Sequence, residues 1–371
     1  MEYDVIVVGG GLAGCAAATH LAEAGHRVAV LEKGSFPRHK LCGEFLSPEV
    51  QEAFRSLGVL DRVQDAGAHE IDRACLTSPR GSTFRSDLPG IALGLSRYAL
   101  DEMLFERAAT AGADTIDGTR VTDISGSLSD GFTVASSTGE RTARVVLGAF
   151  GKRSTLDRKL ERPFLDKPSD LVAFKAHYRG PSVPRTIEIH TFPGGYCGIS
   201  HVEDDRVNVC WIGNTQSLQD AGGSPEAMLN ASLRRNPHLD DRLASAERVT
   251  DTFYAVSQVS LEPKSPFTND VCMIGDTAGM IAPLCGDGMA MALTSAELAT
   301  PFVDEYLRGT RSAESFREAY SQAWSDMFSL RMRVGRLAHA AAMRPSLAAA
   351  TVGTLRLAPF IGRWLIRATR G

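Results

Sequence analysis

The opening 33 residues, MEYDVIVVGGGLAGCAAATHLAEAGHRVAVLEK, constrain this chain more than any other stretch. Val5–Val8 is a short apolar run with strand preference. Gly9, Gly11 and Gly14 follow at G-x-G-x-x-G spacing, and Ala13–Ala24 is rich in small helix formers. Arg27–Leu31 is a second strand, closed by Glu32. This strand–turn–helix–strand unit binds a dinucleotide. Gly9 permits the tight turn, Gly11 lets the backbone approach a pyrophosphate, and Gly14 lets the helix pack on the strand. The helix N-terminus offers free N–H groups and a favourable dipole to the phosphates. Glu32, eighteen residues after the last glycine, is placed to accept hydrogen bonds from a ribose.

A second informative stretch lies far along the chain, at Val271–Thr300, VCMIGDTAGMIAPLCGDGMAMALTSAELAT. VCMIGD is a strand ending in Gly275 and Asp276, whose carboxylate can bond a polyol chain. PLCGDGM is a turn holding Gly286, Gly288 and Met289, and it opens a long Ala/Leu/Met helix. The start of that helix is another anion-stabilising site. A dinucleotide with a ribityl chain and a ring that turns anionic on reduction is FAD. NAD has no need of a second such pocket.

The 371 residues leave room for two or three domain-sized units. The formal charge of −4 argues against a nucleic-acid partner. Seven cysteines are scattered without a C-x-x-C pair, so neither a disulfide framework nor a zinc site is expected. The fingerprint begins at residue 5, which leaves no room for a signal peptide, and a cytoplasmic protein is expected. Between the two stretches, Leu95–Gly112 has helical periodicity, with Leu100, Leu104 and Ala108 on one stripe and Asp101, Glu102 and Glu106 away from it. Arg97 stands just before that stripe. Residues 115–148 are strand-like, with turns expected at 125–128, 129–131 and 138–140. The segments 71–95 and 171–211 alternate as strands do and predict one separate sheet.

The motifs, in this order, resemble the flavoprotein superfamily of aromatic-ring monooxygenases, geranylgeranyl reductases and flavin-dependent halogenases. The resemblance covers most of residues 1–300. It implies an α/β fold, with an FAD-binding Rossmann-like domain of the glutathione-reductase and p-hydroxybenzoate-hydroxylase type. A β-sheet substrate domain and C-terminal helices complete it. On that reading residues 1–70, 95–165 and 262–300 form a discontinuous FAD-binding domain. Residues 71–94 and 166–261 form the substrate domain, and 301–371 a helical segment. Gly9, Gly11, Gly14 and Glu32 would hold the ADP half of FAD, with Lys33 beside them. Arg97 would meet phosphate or ribityl oxygens, Asp276 the ribityl chain, and Gly286–Met289 the pyrimidine edge of the flavin.

The cationic loop Phe36–Pro48, FPRHKLCGEFLSP, falls into place through the same resemblance. Pro37-x-x-Lys40-x-Cys42-Gly43 matches the P-x-x-K-x-C-G of geranylgeranyl reductases. Gly43–Pro48 resembles the G-E-S-L-L-P of flavin halogenases. Arg38 or Lys40 would balance pyrophosphate charge. Cys42 would lie near the flavin face, as a reactive thiol or a small spacer. Glu44 reads as a structural hydrogen-bond partner.

The departures bear on the reaction. The three tryptophans, 211, 324 and 364, make no W-x-W-x-I-P run, so halogenation is not expected. Glu188–Pro193 stands where reductases carry Y-x-W-x-F-P, with both aromatics replaced. Phe150 stands where monooxygenases that use NADPH directly carry aspartate. The favoured expectation is a monooxygenase hydroxylating a bulky hydrophobic, aromatic or polyketide-like substrate with O2, through a flavin C4a-hydroperoxide. The alternative is saturation of C=C bonds in an isoprenoid or lipid. A minor third reading is a non-redox flavin-bound cyclase or lipid-binding module. NAD(P)H would supply electrons, directly or through a partner reductase. Tyr196, His190, His177 and His201 are candidate acid–base groups, with Cys42 the candidate at the flavin. Residues 331–371 hold eight arginines and no acid, leaving −12 on residues 1–330. TLRLAPFIGRWLIRATRG reads either as a basic amphipathic helix on an anionic membrane or as a cap on the acidic body.

Overall fold

A computed structural model describes residues 1–231 and 233–368. Among them the strands form two sheets, one of eight and one of nine strands. The first is built around the parallel set Asp114–Ile116, Val28–Leu31, Tyr3–Val8, Gly139–Gly148 and Val271–Met273. Val5, Ile6 and Val7 are fully buried because parallel strands are covered on both faces. Helix Leu12–Glu23 packs on one side through Cys15, Ala16, Ala17 and Ala18, and its small side chains let the backbones approach. The helix Gly288–Leu307 lies against it. An antiparallel meander, Val121–Ser127 with Gly131–Ser136, joins this sheet through Gly139–Gly148. The turn expected at 125–128 is displaced: the strand runs to Ser127, and Leu128 buries itself in the core at the hairpin end.

The second sheet gathers His69–Thr77 and Thr83–Gly94 with Leu171–Arg179, Thr186–Phe192, Gly195–His201 and Val207–Asn214. Both expected segments therefore share one sheet. Pairing of Tyr196 with Ile212, Gly198 with Cys210, and Lys175 with Cys210 sets its register. Alternation then separates two faces. One carries Lys175, His177, Tyr196, Asn208 and Ile212. The other carries Phe174, Trp211, Cys197, Ile199 and His190.

Three C-terminal helices close the molecule. Ala313–Ala342 buries Phe316, Tyr320, Trp324 and Phe328 against the first sheet's helices, and the Tyr320 hydroxyl donates to the Met273 carbonyl at 2.8 Å. Pro345–Leu357 and Pro359–Ala368 turn back onto strand Thr83–Gly94, where Val352, Leu355 and Gly362 meet Phe84.

Candidate active site

The glycines of the fingerprint are sterically required. A Cβ on Gly14 would lie 1.9 Å from the Gly9 carbonyl oxygen, and one on Gly9, at φ 114°, would lie 2.3 Å from that of Ala149. Gly11 differs: a Cβ there would meet only Lys40 Nζ at 3.8 Å and Arg97 Nη2 at 3.9 Å. Two cations thus stand over the helix N-terminus, where Gly11 supplies no side-chain cap and the first turn has no acid. That arrangement suits a pyrophosphate. Between the cations lies Asp101, fully buried, at 2.5 Å from both Arg97 Nε and Lys40 Nζ. Burial alone would raise the Asp101 carboxyl; Arg97 and Lys40 hold it below the usual carboxylate range. The sequence pattern put Asp101 on the outer side of its helix. The structure corrects this: the helix turns Asp101 inward to align the two cations.

Glu32 receives the Gly10 N–H at 2.9 Å on Oε2, and the Gly34 N–H at 3.0 Å on Oε1. Arg38 also donates to Oε1, at 2.8 Å. Arg38 therefore fixes the Glu32 carboxylate, and Lys40 is the loop cation that faces the fingerprint helix N-terminus. Lys33 turns to solvent.

The rest of the loop is held from the opposite side. Glu44 adopts φ 54°, the left-handed region, and is completely buried. It accepts the Arg97 backbone N–H at 2.7 Å, the Lys175 ammonium, and His177 Nε2 at 2.6 Å. Burial would raise its pKa, but Lys175 and His177 bring it down to about 2. Asn208 Nδ2 donates to the Cys42 carbonyl at 3.1 Å. Cys42 lies beside Arg97: burial would lower the guanidinium's pKa, while the Asp101 carboxylate and then the Cys42 sulfur raise it. So the strand face carrying Lys175, His177 and Asn208 grips residues 40–44, and those residues present Cys42 and Lys40 towards the fingerprint helix.

In the second glycine turn, Gly275 at φ 59° closely approaches Ala13, which a Cβ would meet at 2.9 Å. Asp276 sits half-buried on that turn, and its carbonyl accepts from Lys264 Nζ at 2.9 Å. Gly286, at φ 69°, fits under Phe45, whereas a Cβ on Gly288 would meet nothing within 4 Å. Met289 is buried at the start of its helix. The Tyr196 hydroxyl binds this turn: it accepts the Leu284 N–H at 3.1 Å and lies 3.2 Å from His339 Nδ1. The phenolic hydroxyl both donates and accepts, so it pairs with Nδ1 in either His339 tautomer. Burial raises the Tyr196 phenol well above its ordinary value and lowers His339, so the pair is neutral. Around it Leu171, Ala173, Ile212, Val259 and Met280 form an apolar cluster, joined by Leu41, Leu284 and Met343.

Cys42, Tyr196 and His177 thus converge on one side of the second sheet. His190 does not. It points to the opposite face, where Nδ1 meets Thr77 Oγ1 at 2.8 Å and Nε2 meets Glu188 at 3.2 Å. Two further bonds from Arg242 complete a structural cluster there. His201 lies beside His69, with ring centroids 4.8 Å apart and planes tilted by 34°. Asp101, Lys175 and His339 were not singled out from the sequence. Asp101 had one signal, its four-residue spacing from Arg97; Lys175 and His339 had none that local pattern could supply.

These residues fit FAD. The Gly11 cradle with its two cations suits a diphosphate, Glu32 Oε2 carries a single internal donor among the described residues and could accept from a ribose, and a Cβ on Gly288 meets nothing within 4 Å, which would leave room for a ring. Among the described residues the buried His39 Nδ1, His177 Nδ1 and Asn208 Oδ1 also lack hydrogen-bond partners along the loop–sheet seam. Comparison with known proteins agrees. Residues 2–327 match the family described as FAD binding domain. The chain is 28% identical over 346 residues to digeranylgeranylglycerophospholipid reductase 2 of Methanopyrus kandleri, covering 88% of this chain and 83% of that one. It is 28% identical to the menaquinone reductase of Mycolicibacterium smegmatis over 327 residues, covering 80% and 75% of the two chains. Among solved structures, the myxobacterial chondrochloren halogenase superposes with a TM-score of 0.81 at 22% identity, covering 97% and 90%. The chain belongs to the FAD binding domain family and is an FAD-dependent oxidoreductase.

Proposed function

We propose that this oxidoreductase hydroxylates a bulky apolar substrate bearing a hydroxyl group, of aromatic or polyketide type. The observation that carries the reading is the neutral Tyr196–His339 pair inside an otherwise apolar cluster beside the Gly286–Met289 turn. An apolar wall holds a greasy body, and a single hydrogen-bonded pair can orient a hydroxyl. A phenol held there presents electron-rich ring carbons for oxidation. Bound FAD would supply the electrons and the activation of O2. One oxygen atom enters the product and the other leaves as water, with a reduced nicotinamide as electron source, directly or through a partner reductase. This chain's own share is to grip the cofactor with Lys40, Arg97 and Glu32, to fix the loop through Glu44, and to keep water from the cluster. The test is product formation under isotopically labelled O2: label in the product supports the reading, and unlabelled product overturns it.

A second reading is favoured by a different observation. The loop Pro37–Gly43 and the 28% identity to a digeranylgeranylglycerophospholipid reductase support hydride delivery to a carbon–carbon double bond. Cys42 would then stand near the reacting carbon as proton source. Product formation without oxygen would support this reading over the first.

A further inference from the structure

We infer that the outer face of the three C-terminal helices docks on an anionic lipid bilayer. Each helix buries one stripe and exposes another. On Ala313–Ala342 the outward stripe is Met327, Leu330, Arg333 and Leu337, with Leu337 73% exposed. On Pro345–Leu357 it is Leu347 and Leu357, the latter 88% exposed. On Pro359–Ala368 it is Phe360, Arg363, Trp364 and Arg367, with Phe360 at 65% and Trp364 at 61%. The inner stripe is already occupied, since Gly362, Val352 and Leu355 pack on Phe84. The segment therefore caps the body and, among the described residues, still exposes large apolar side chains on its outer side.

Charge identifies what covers it. From residue 327 onwards the chain has no Asp or Glu, while arginines alternate with the exposed apolar side chains. Arg370 belongs to this run but lies outside the described residues. Beside the last helix a groove of about 410 Å³ is lined by Arg73, Arg85, Arg242 and Arg363, with Asp87 and Glu188. A surface of aromatic and aliphatic anchors set among guanidinium groups matches a membrane interface with anionic headgroups. A second copy of the same helices would be repelled, because residues 327–371 carry arginines and no acid. No described helix is long and apolar enough to cross a membrane, so the contact lies in the plane of the interface.

The inference does not depend on which reaction the enzyme performs. It is tested by flotation of the FAD-loaded full chain with vesicles of phosphatidylcholine, alone or mixed with phosphatidylglycerol. Trp211 and Trp324 are buried, so a change in tryptophan emission reports Trp364. The expected result is binding to the anionic vesicles only, a blue shift, and weakening by salt. The pair Phe360→Ser with Trp364→Ser, and separately Arg363→Glu with Arg367→Glu, should each reduce partitioning at least tenfold while FAD content stays unchanged. Failure to bind vesicles, equal binding to neutral and anionic vesicles, or indifference to the arginine reversals would overturn it. So would a concentration-dependent dimer in sedimentation that disappears in the Phe360→Ser, Trp364→Ser variant.

Discussion

His177 Nε2 lies 2.6 Å from Glu44 Oε2, joining residues 133 positions apart, and the other carboxylate oxygen takes the Lys175 ammonium. This buried triad fastens the cysteine-bearing loop 36–48 to the second sheet. Truncating Glu44 to Ala strands two buried basic groups and should cost about 3–5 kcal/mol of stability. The φ of 54° allows a control: Glu44→Gly relieves backbone strain yet also removes the charge. Chemical denaturation should show both variants losing stability. A fully stable Glu44→Gly would mean that backbone strain, not charge pairing, dominates.

The same triad gives a pH response. Glu44 is held at about 2, below its ordinary value of 4.5, by Lys175 and His177 against the opposing effect of burial. Its contribution is therefore present above about pH 4.5 and is lost as pH falls towards 2. Glu188, likewise brought to about 2 by His190 and Arg242 despite burial, acts in the same window. Thermal unfolding followed by flavin fluorescence should show stability falling from pH 4.5 downwards. In Glu44→Gln that fall should be shallower.

Lys40 and Arg97 should dominate FAD affinity. Each charge-assisted bond to a phosphate is worth about 1.5–3 kcal/mol, so Lys40→Ala or Arg97→Ala should weaken FAD roughly 10- to 100-fold. Arg38→Ala should weaken it less, because Arg38 touches Glu32 and not the phosphate position. Calorimetric titration of the apoprotein with FAD checks the order. Equal losses for Arg38 and Lys40 would contradict the assignment.

The glycines separate folding from binding. Gly14→Ala drives a methyl to 1.9 Å from a backbone oxygen and should destabilise the domain by about 3 kcal/mol or more. Gly11→Ala meets only the ends of Lys40 and Arg97, beyond 3.8 Å, so the protein should fold normally. Its added methyl occupies the pyrophosphate approach, and FAD retention should drop. Circular dichroism and bound-flavin absorbance read the two effects independently.

Tyr196 and His190 should behave oppositely in turnover. Tyr196→Phe removes the hydroxyl that meets Leu284 and His339, and should lower kcat about 100-fold with FAD still bound. His190→Gln, on the far face of the sheet, should change kcat by less than about threefold and act mainly on stability. Steady-state kinetics with bound-flavin content measured alongside would show it. A large kcat loss in His190→Gln would move the reacting centre to the other face.

The strands, the glycine turns and the cofactor were legible because each is written locally. Gly9, Gly11, Gly14 and Glu32 specify a turn, a close approach and an acid within 24 residues. Gly286 and Gly288 read equally well, since a turn that opens a helix declares itself by composition. What stayed hidden depends on register and distance. Asp101 reads as one more outer acid until Arg97 and Lys40 are seen on either side of it. His190 and Tyr196 lie close in sequence, and only strand alternation sends them to opposite faces. His339 meets Tyr196 from a helix 143 positions away, a contact that no periodicity announces.

The most direct test of the proposed reaction is rapid-scan absorbance of the anaerobically reduced enzyme mixed with oxygenated buffer, with an alkyl-substituted phenol present. The account predicts a spectrally distinct transient before reoxidation, with hydroxylated product formed as it decays. Single-step reoxidation with no hydroxylated product, together with saturated product from an isoprenoid lipid under anaerobic conditions, would contradict it.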